Sequence, residues 1–484
     1  IEGGNLDESN PLWVAQKDVF RPLAAFVRQH DSRFFSGEKV SRLVELFNDT
    51  MLDLSKALFR WQLLDGSKVI AEGKESLKMP SSAHLERNLT LPLPKVQSKK
   101  TLNLRLTLEA NGVANFHEDF PIEVFPEASL TLPKNLALYD PHGKLEPLLR
   151  RQKGNFVRLK RLTDWDGKSV LVVGPEALKG RKAGEFTIGA SDENAMWLAK
   201  KVQEGGRVIM LEQTDEATGL LPVQLSKQSS TMAFPHFFHH PVTKGLSVKD
   251  LRWWRGDHIV SHYEPIRPHC AGMLPLVVTG SDTGISHAPV VEVRQGNGVC
   301  LICQLKVISK FETEPMAQLM LQRMLNYIAS YDPPKGTIAC FSPTNLHENL
   351  DRLRVDWEPL GSWGELVYPK VRVLVLQSDG ETIVQNIAEI RSFLHSGGTI
   401  VWHRPSRNDF EKVKAALNLP ITMQPYKGAA LRAEGEGELL NALFREDLYW
   451  LGPVSGPDWE ITPLAMDMAE AIFMPELTLA SARK

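Results

Sequence analysis

The stretch Val202-Gln203-Glu204-Gly205-Gly206-Arg207-Val208-Ile209-Met210-Leu211 recurs in altered form as Phe393-Leu394-His395-Ser396-Gly397-Gly398-Thr399-Ile400-Val401-Trp402. Each copy has the tail of an amphipathic helix, a Gly-Gly stop and a short apolar run. Glycine just past a helix end takes the left-handed conformation without a Cβ clash, and an apolar run lacking polar alternation suits a strand buried on both faces. The pattern predicts helix, tight turn and central parallel strand in both places. The surroundings match too: Val170-Leu171-Val172-Val173 and Val371-Arg372-Val373-Leu374-Val375-Leu376 lie upstream, and Lys249-Asp250-Leu251-Arg252-Trp253-Trp254 and Glu446-Asp447-Leu448-Tyr449-Trp450-Leu451 downstream. Matched features in one order, offset by roughly 190 to 205 residues, predict two α/β domains of one type in tandem.

Length and charge narrow the partners. A chain of 484 residues holds about three domains, each able to bury its own core. Lys plus Arg is 56 against 58 for Asp plus Glu, so no broad basic field awaits nucleic acid or anionic lipid. With 43% hydrophobic and 24% charged residues and no apolar run of spanning length, neither nucleic acid nor a membrane span is expected. Four cysteines are too few for a disulfide framework, and the Cys300-Leu301-Ile302-Cys303 pair, inside an apolar run, reads as strand filling rather than half a zinc site. Ile1 in place of methionine, and an apolar segment opening near Met474, suggest a piece of a longer protein.

Taken in order, residues 11–28 show a helical pattern of Trp13, Phe20, Leu23, Phe26 and Val27, interrupted by Pro22. Residues 34–126 change character. Leu102-Asn103-Leu104-Arg105-Leu106-Thr107-Leu108 alternates strictly, Asp65-Gly66-Ser67 is a hairpin turn, and Asn111-Gly112 turns the chain toward Phe120-Pro121-Ile122. Several short strands in about 90 residues predict an antiparallel sandwich of immunoglobulin type.

Here a resemblance enters. Phe35-Ser36-Gly37-Glu38-Lys39-Val40, Leu46-Phe47-Asn48-Asp49-Thr50 and Phe59-Arg60-Trp61-Gln62-Leu63, preceded by Phe20-Arg21-Pro22-Leu23-Ala24-Ala25-Phe26, resemble the immunoglobulin-like domain that follows the catalytic barrel in glycoside hydrolase family 2, the β-galactosidase and β-glucuronidase family. The resemblance implies that residues 1–33 are the end of an upstream (β/α)8 barrel and its linker, and 34–126 the sandwich. Residues 127–333, with strands near Leu136, Val170 and Val208, a hairpin over 290–299 and a helix over 314–331, resemble the class I glutamine amidotransferase-like, flavodoxin-like fold. Residues 334–484 are expected to repeat it more briefly. The fold class is thus multidomain β plus α/β.

That resemblance bears on the chemistry. An active amidotransferase presents a nucleophilic cysteine on a strained elbow after a strand. The strand ends Gly174-Pro175-Glu176 and Leu211-Glu212-Gln213 offer none, and Cys270 and Cys340 lack the flanking pattern. Retaining glycosidases need paired carboxyls about 5 Å apart; the family's come from barrel strands, here upstream, and Glu2 reads as a loop carboxylate. No catalytic residue, cofactor site or metal site is therefore assigned. His236, His239, His240 and His258 lie among packing aromatics without ligand spacing. Trp253, Trp254, Asp257 and His258, with Tyr449 and Trp450 in the second copy, are candidates for carbohydrate or interdomain contact.

The resulting expectation is a non-catalytic C-terminal accessory region of a β-galactosidase-like glycosidase. Its partners would be carbohydrate, through the parent's catalytic domain, the upstream barrel, and a second copy in a homo-oligomer. Export to the periplasm or outside the cell follows by resemblance only. The alternatives are a stand-alone carbohydrate-binding or assembly module, and a hydrolase of the trehalose-utilisation type acting through residues 127–484.

Overall fold

The computed structural model describes residues 10–127, 130–179, 193–217, 220–268, 272–282, 284–333, 336–342, 346–352, 355–420, 423–424 and 472–473. The chain divides into two compact units. The first comprises Ile1–Leu130 with Arg252–Val260 and Lys306–Leu321; the second comprises Thr131–Leu251, Ser261–Leu305 and Gln322–Lys484.

The first unit opens with helix α1 (Pro11–Val19), whose Asn10 cap accepts a hydrogen bond from Leu12 N at 3.0 Å. Eight strands follow: β1 (Leu23–Val27), β2 (Arg33–Phe35), β3 (Lys39–Asn48), β4 (Leu54–Asp65), β5 (Lys68–Met79), β6 (Ala83–Pro92), β7 (Lys100–Ala110) and β8 (Phe116–Phe125). They form a three-stranded sheet, β1-β3-β6, and a five-stranded sheet, β2-β8-β7-β4-β5. Leu102, Leu104, Leu106 and Leu108 of β7 all face inward, as their alternation predicts. They share one core with Val44 and Leu46 of β3 and Leu89 and Leu91 of β6. The helical expectation for residues 11–28 is corrected: the helix stops at Val19, and Leu23–Val27 is a strand antiparallel to β3, with Leu23 opposite Asn48. Pro22 cannot donate a helical hydrogen bond, and its carbonyl instead receives Asp49 N at 2.7 Å, starting the sheet.

The second unit carries the repeat. Its first copy runs β9 (Leu136–Tyr139), α2 (Glu146–Arg151), β10 (Val157–Arg158), β11 (Val170–Val173), α3 (Glu193–Gln203) and β12 (Arg207–Leu211). After it come β13 (Ser229–Ser230), β14 (Phe234–Pro235), β15 (Ser261–His262), β16 (Met273–Ser281), β17 (Gly284–Gln295), β18 (Gly298–Cys303) and helix α4 (Pro315–Ser330), which begins in the first unit. One eight-stranded sheet results, ordered β10-β9-β11-β12-β18-β17-β16-β14, and its first five strands are parallel. The second copy runs β19 (Thr337–Phe341), α5 (Leu346–Arg352), β20 (Glu358–Pro359), β21 (Val371–Leu376), α6 (Gly380–Gln385), α7 (Ile387–His395), β22 (Thr399–Trp402) and α8 (Arg407–Leu417). Its all-parallel sheet is ordered β20-β19-β21-β22. Matching elements of the two copies start about 200 residues apart and take matching places in their sheets.

Both Gly-Gly stops act as predicted. Gly205 and Gly397 have φ of 113° and 104°. The strands that follow them differ. β12 is buried almost throughout, whereas β22 alternates exposed and half-buried and stands at a sheet edge among the described residues, not at the centre.

Candidate functional site

In parallel sheets the loops leaving the C-terminal strand ends are where chemistry is placed. After β9, buried Asp140 accepts hydrogen bonds from the backbone N–H groups of Lys144 at 3.1 Å, Leu145 at 2.7 Å and Glu146 at 2.8 Å, so it fastens the start of α2. After β11, Glu176 has φ 55°, and after β12, Glu212 has φ 44°, both in the left-handed region that non-glycine residues avoid. The two are joined, since Glu176 N donates to Glu212 O at 3.1 Å. Two buried glutamines hold this strained rim. Gln213 accepts Leu178 N at 3.0 Å and donates to Gly174 O at 2.8 Å, and Gln304 accepts Gln213 N at 2.7 Å and donates to Tyr263 O at 2.8 Å. Arg404 of the second copy, at the same remove from its Gly-Gly pair as Glu212, has φ 50°. The elbow is therefore built twice, once with an acid and once with a base.

The described thiols lie elsewhere. Cys300 and Cys303 sit within β18 with no exposure to speak of, and burial pushes the Cys300 thiol up to about 12 and raises that of Cys303 as well. Cys340 is buried in β19, and its thiol too is raised by burial. Such thiols are protonated near neutral pH and do not act as nucleophiles. Cys270 lies outside the described residues.

The tryptophan cluster falls in the first unit, beside the β-sheets. Trp254 is wholly buried, and Lys310 donates to its carbonyl at 3.2 Å and to that of Arg255 at 2.9 Å. Asp257 receives the Lys310 ammonium, the Lys306 ammonium at 3.3 Å and Ile259 N at 3.0 Å. Burial alone would raise the Asp257 carboxyl, but the Lys310 hydrogen bond and its companions outweigh that and hold it below the usual range. Trp253, at φ 46°, is 37% exposed, and its ring lies 5.3 Å from that of His30. His258, at φ 62°, sits 5.9 Å from the same imidazole. The structure thus gathers Trp253 and His258 around His30, which the sequence reading did not single out, while Trp254 is core and Asp257 is engaged by lysines. Tyr449 and Trp450 lie outside the described residues.

Next to this cluster, Arg33 Nε donates to Glu314 Oε1 at 3.0 Å, with both side chains buried. Glu314 also accepts Arg255 N at 3.2 Å, and Arg255 pairs with Glu38 at 2.6 Å. The guanidinium carbons of Arg42 and Arg255 lie 4.5 Å and 5.2 Å from the centre of the Phe34 ring.

The remaining histidines have other partners. His240 Nε2 faces Glu292 Oε2 at 3.0 Å, and His236 Nε2 lies 3.3 Å from Arg267 Nη2. Among the described residues, Glu45, His84 and Glu86 bring possible ligand atoms within 4.8 Å of one another. Arg28 already places a guanidinium 3.4 Å from Glu45 and 3.6 Å from Glu86, offsetting the two like charges opposed across β3 and β6.

No family model matches the chain, and no curated protein does. Solved structures share short stretches. A β-glucosidase from Listeria innocua, in complex with glucose, matches with 14% identity over 22% of this chain and 16% of its own, at a TM-score of 0.17. The CARDB domain of the PF1109 protein from Pyrococcus furiosus, in complex with di-metal ions, matches with 16% identity over 21% of this chain and 86% of its own, also at 0.17. A superoxide reductase from Ignicoccus hospitalis matches with 12% identity over 21% and 80%, again at 0.17. Similarity at this level carries no argument about activity.

Proposed function

We propose that this chain is a non-catalytic accessory region of a glycoside hydrolase of the family 2 type, an immunoglobulin-like sandwich followed by two inert flavodoxin-like domains. Its parent would hydrolyse a β-galactoside or a related glycoside by double displacement. The observation that carries the inert part of this reading is the chemistry of the strand ends. At the strand ends where a nucleophilic thiol would stand, Glu176 and Glu212 hold the strained conformations, as Arg404 does in the second copy, and the described cysteines are sealed in strands. The strand order with β9 between β10 and β11, repeated with β19 between β20 and β21, supports the flavodoxin-like assignment. The glycosidase parent rests on the motifs at Phe35, Leu46 and Phe59, which lie on β2, β3 and β4 of one two-sheet unit.

The reading frame upstream of Ile1 tests the proposal. A barrel-sized segment with a glutamate after asparagine at one strand end, and a second roughly 70 to 120 residues on, supports it. A start codon with a signal peptide immediately upstream would sink it. The alternative, a stand-alone carbohydrate-binding module, is favoured by one feature, the exposed Trp253 ring beside His30 and His258. It predicts that the isolated chain retains neutral oligosaccharides and that Trp253→Ala abolishes retention.

A further inference from the structure

In the first copy, the chain goes from β9 to β10 on one side and then crosses to β11 on the other. The loops leaving β9 and β11 therefore part toward opposite faces, and a crevice at such a reversal is the general ligand position in open parallel sheets. A cavity of about 280 Å³ lies there. Tyr139, Leu162 and Leu178 supply its apolar walls, and Lys160, Arg161 and Lys179 stand around it. Asp164 orients the Arg161 guanidinium at 2.8 Å, and Glu216 reaches Lys179 only at 4.0 Å between two well-exposed side chains, where solvent screens the pair. Among the described residues, the lining side chains carry positive charge and no carboxylate.

The second copy is an internal control. Leu162 opens a 3-10 turn after β10, and its counterpart Trp363 opens the equivalent turn after β20. Tyr139 ends β9 as Phe341 ends β19. In the second copy the Trp363 and Phe341 rings pack with centroids 4.8 Å apart, inside a cluster with Leu360 and Leu366. Lys160 and Arg161 are replaced there by Gly361 and Ser362. Where the second copy has an aromatic plug and a carboxylate, Glu365, against Gly361 and Ser362, the described residues of the first leave a leucine, a cavity and cations. Packing alone does not call for that difference, because the same fold fills the space when a tryptophan is supplied.

We propose that this cavity binds a small anionic compound about the size of one sugar ring, with its phosphate or carboxylate toward Lys160, Arg161 and Lys179 and its body against Tyr139 and the leucines. The site is independent of the glycosidase reading. It would stand if that reading fell.

Calorimetric titration of the whole chain with glucose 6-phosphate, glucuronate, inorganic phosphate and glucose tests it. At least one sugar acid is expected to bind, with neutral glucose at least tenfold weaker. Leu162→Trp, which installs the plug of the second copy, should abolish binding while leaving the circular dichroism spectrum unchanged. The double change Lys160→Gly with Arg161→Ser should weaken binding at least tenfold and flatten its salt dependence. If Leu162→Trp fails to fold, the double change decides the matter alone. Three results would overturn the proposal: no heat from either sugar acid up to about 10 mM, glucose binding as tightly as glucuronate, or anion binding untouched by these variants.

Discussion

Glu292 shows how much one side chain can hold. It lies wholly buried on β17, where His240 Nε2 reaches it at 3.0 Å, Tyr327 Oη at 2.5 Å and Arg294 Nε at 2.5 Å. His240 Nδ1 accepts Val242 N at 3.2 Å, which leaves the imidazole proton on Nε2 to donate to the carboxylate. Burial alone would raise the Glu292 carboxyl, but these donors and the Arg294 charge outweigh it and hold it below the usual glutamate range. A carboxylate depressed in the folded state stabilises the protein above its unfolded pKa and loses that contribution as pH falls toward the folded value. Glu292→Gln should therefore cost about 1.5–3 kcal/mol in urea unfolding at pH 7, and the gap from wild type should narrow below pH of about 4.3. A gap independent of pH would refute the charge-based account. Cysteine chemistry gives a second expectation at this scale: Cys300 and Cys303 should resist iodoacetamide at pH 8 in the folded protein and react in urea, as thiols buried within a strand must. The cysteines' placement was legible, because Val299-Cys300-Leu301-Ile302-Cys303 is visibly a buried strand. Glu292 was not, because in Val291-Glu292-Val293 it reads as the solvent-facing member of a hairpin, and two of its three partners come from residue 240 and from α4.

Elements were legible where their signals are local. Each Gly-Gly stop ends a helix by a rule that needs no distant partner, and the second glycine of each pair is confined further. A Cβ on Gly206 would lie 2.7 Å from Lys201 O and 2.6 Å from the Trp165 ring, and one on Gly398 would lie 2.3 Å from the Phe393 ring. Gly206→Ala and Gly398→Ala should each destabilise by about 1–3 kcal/mol, read as a shift of the urea midpoint; a change within error in both would show that the turns relax freely. Leu23–Val27 misled because a helical pattern of Leu23, Phe26 and Val27 is equally available to a short strand that buries Leu23, Ala24 and Ala25 against β3. The contrast between the open cavity at Leu162 and the plug at Trp363 was also hidden. Each residue is an ordinary hydrophobe in its own sequence, and only superposed copies reveal the difference in volume.

At the scale of the whole chain, one compact unit is assembled from three separated segments. Its β-sheets bury Arg33 against Glu314, engage Glu38 with Arg255 and set His30 against Trp253. None of these pairings is marked in the sequence, where the partners lie more than 200 residues apart. Glu314→Ala should cost about 3–5 kcal/mol, because it removes the carboxylate that faces the buried Arg33 charge. A fragment of residues 10–130 should unfold at distinctly lower urea than the same sheets in the full chain, followed by hydrogen exchange of the β7 amides; equal midpoints would show that the returning segments add nothing. The same arrangement has a consequence in time. A ribosome releases the eight strands early, yet the residues that complete their unit are not all made until Leu321. At cellular synthesis rates the wait is on the order of ten to forty seconds. Through that interval the strands are without Glu314 and Arg255, so this unit can be completed only late in synthesis.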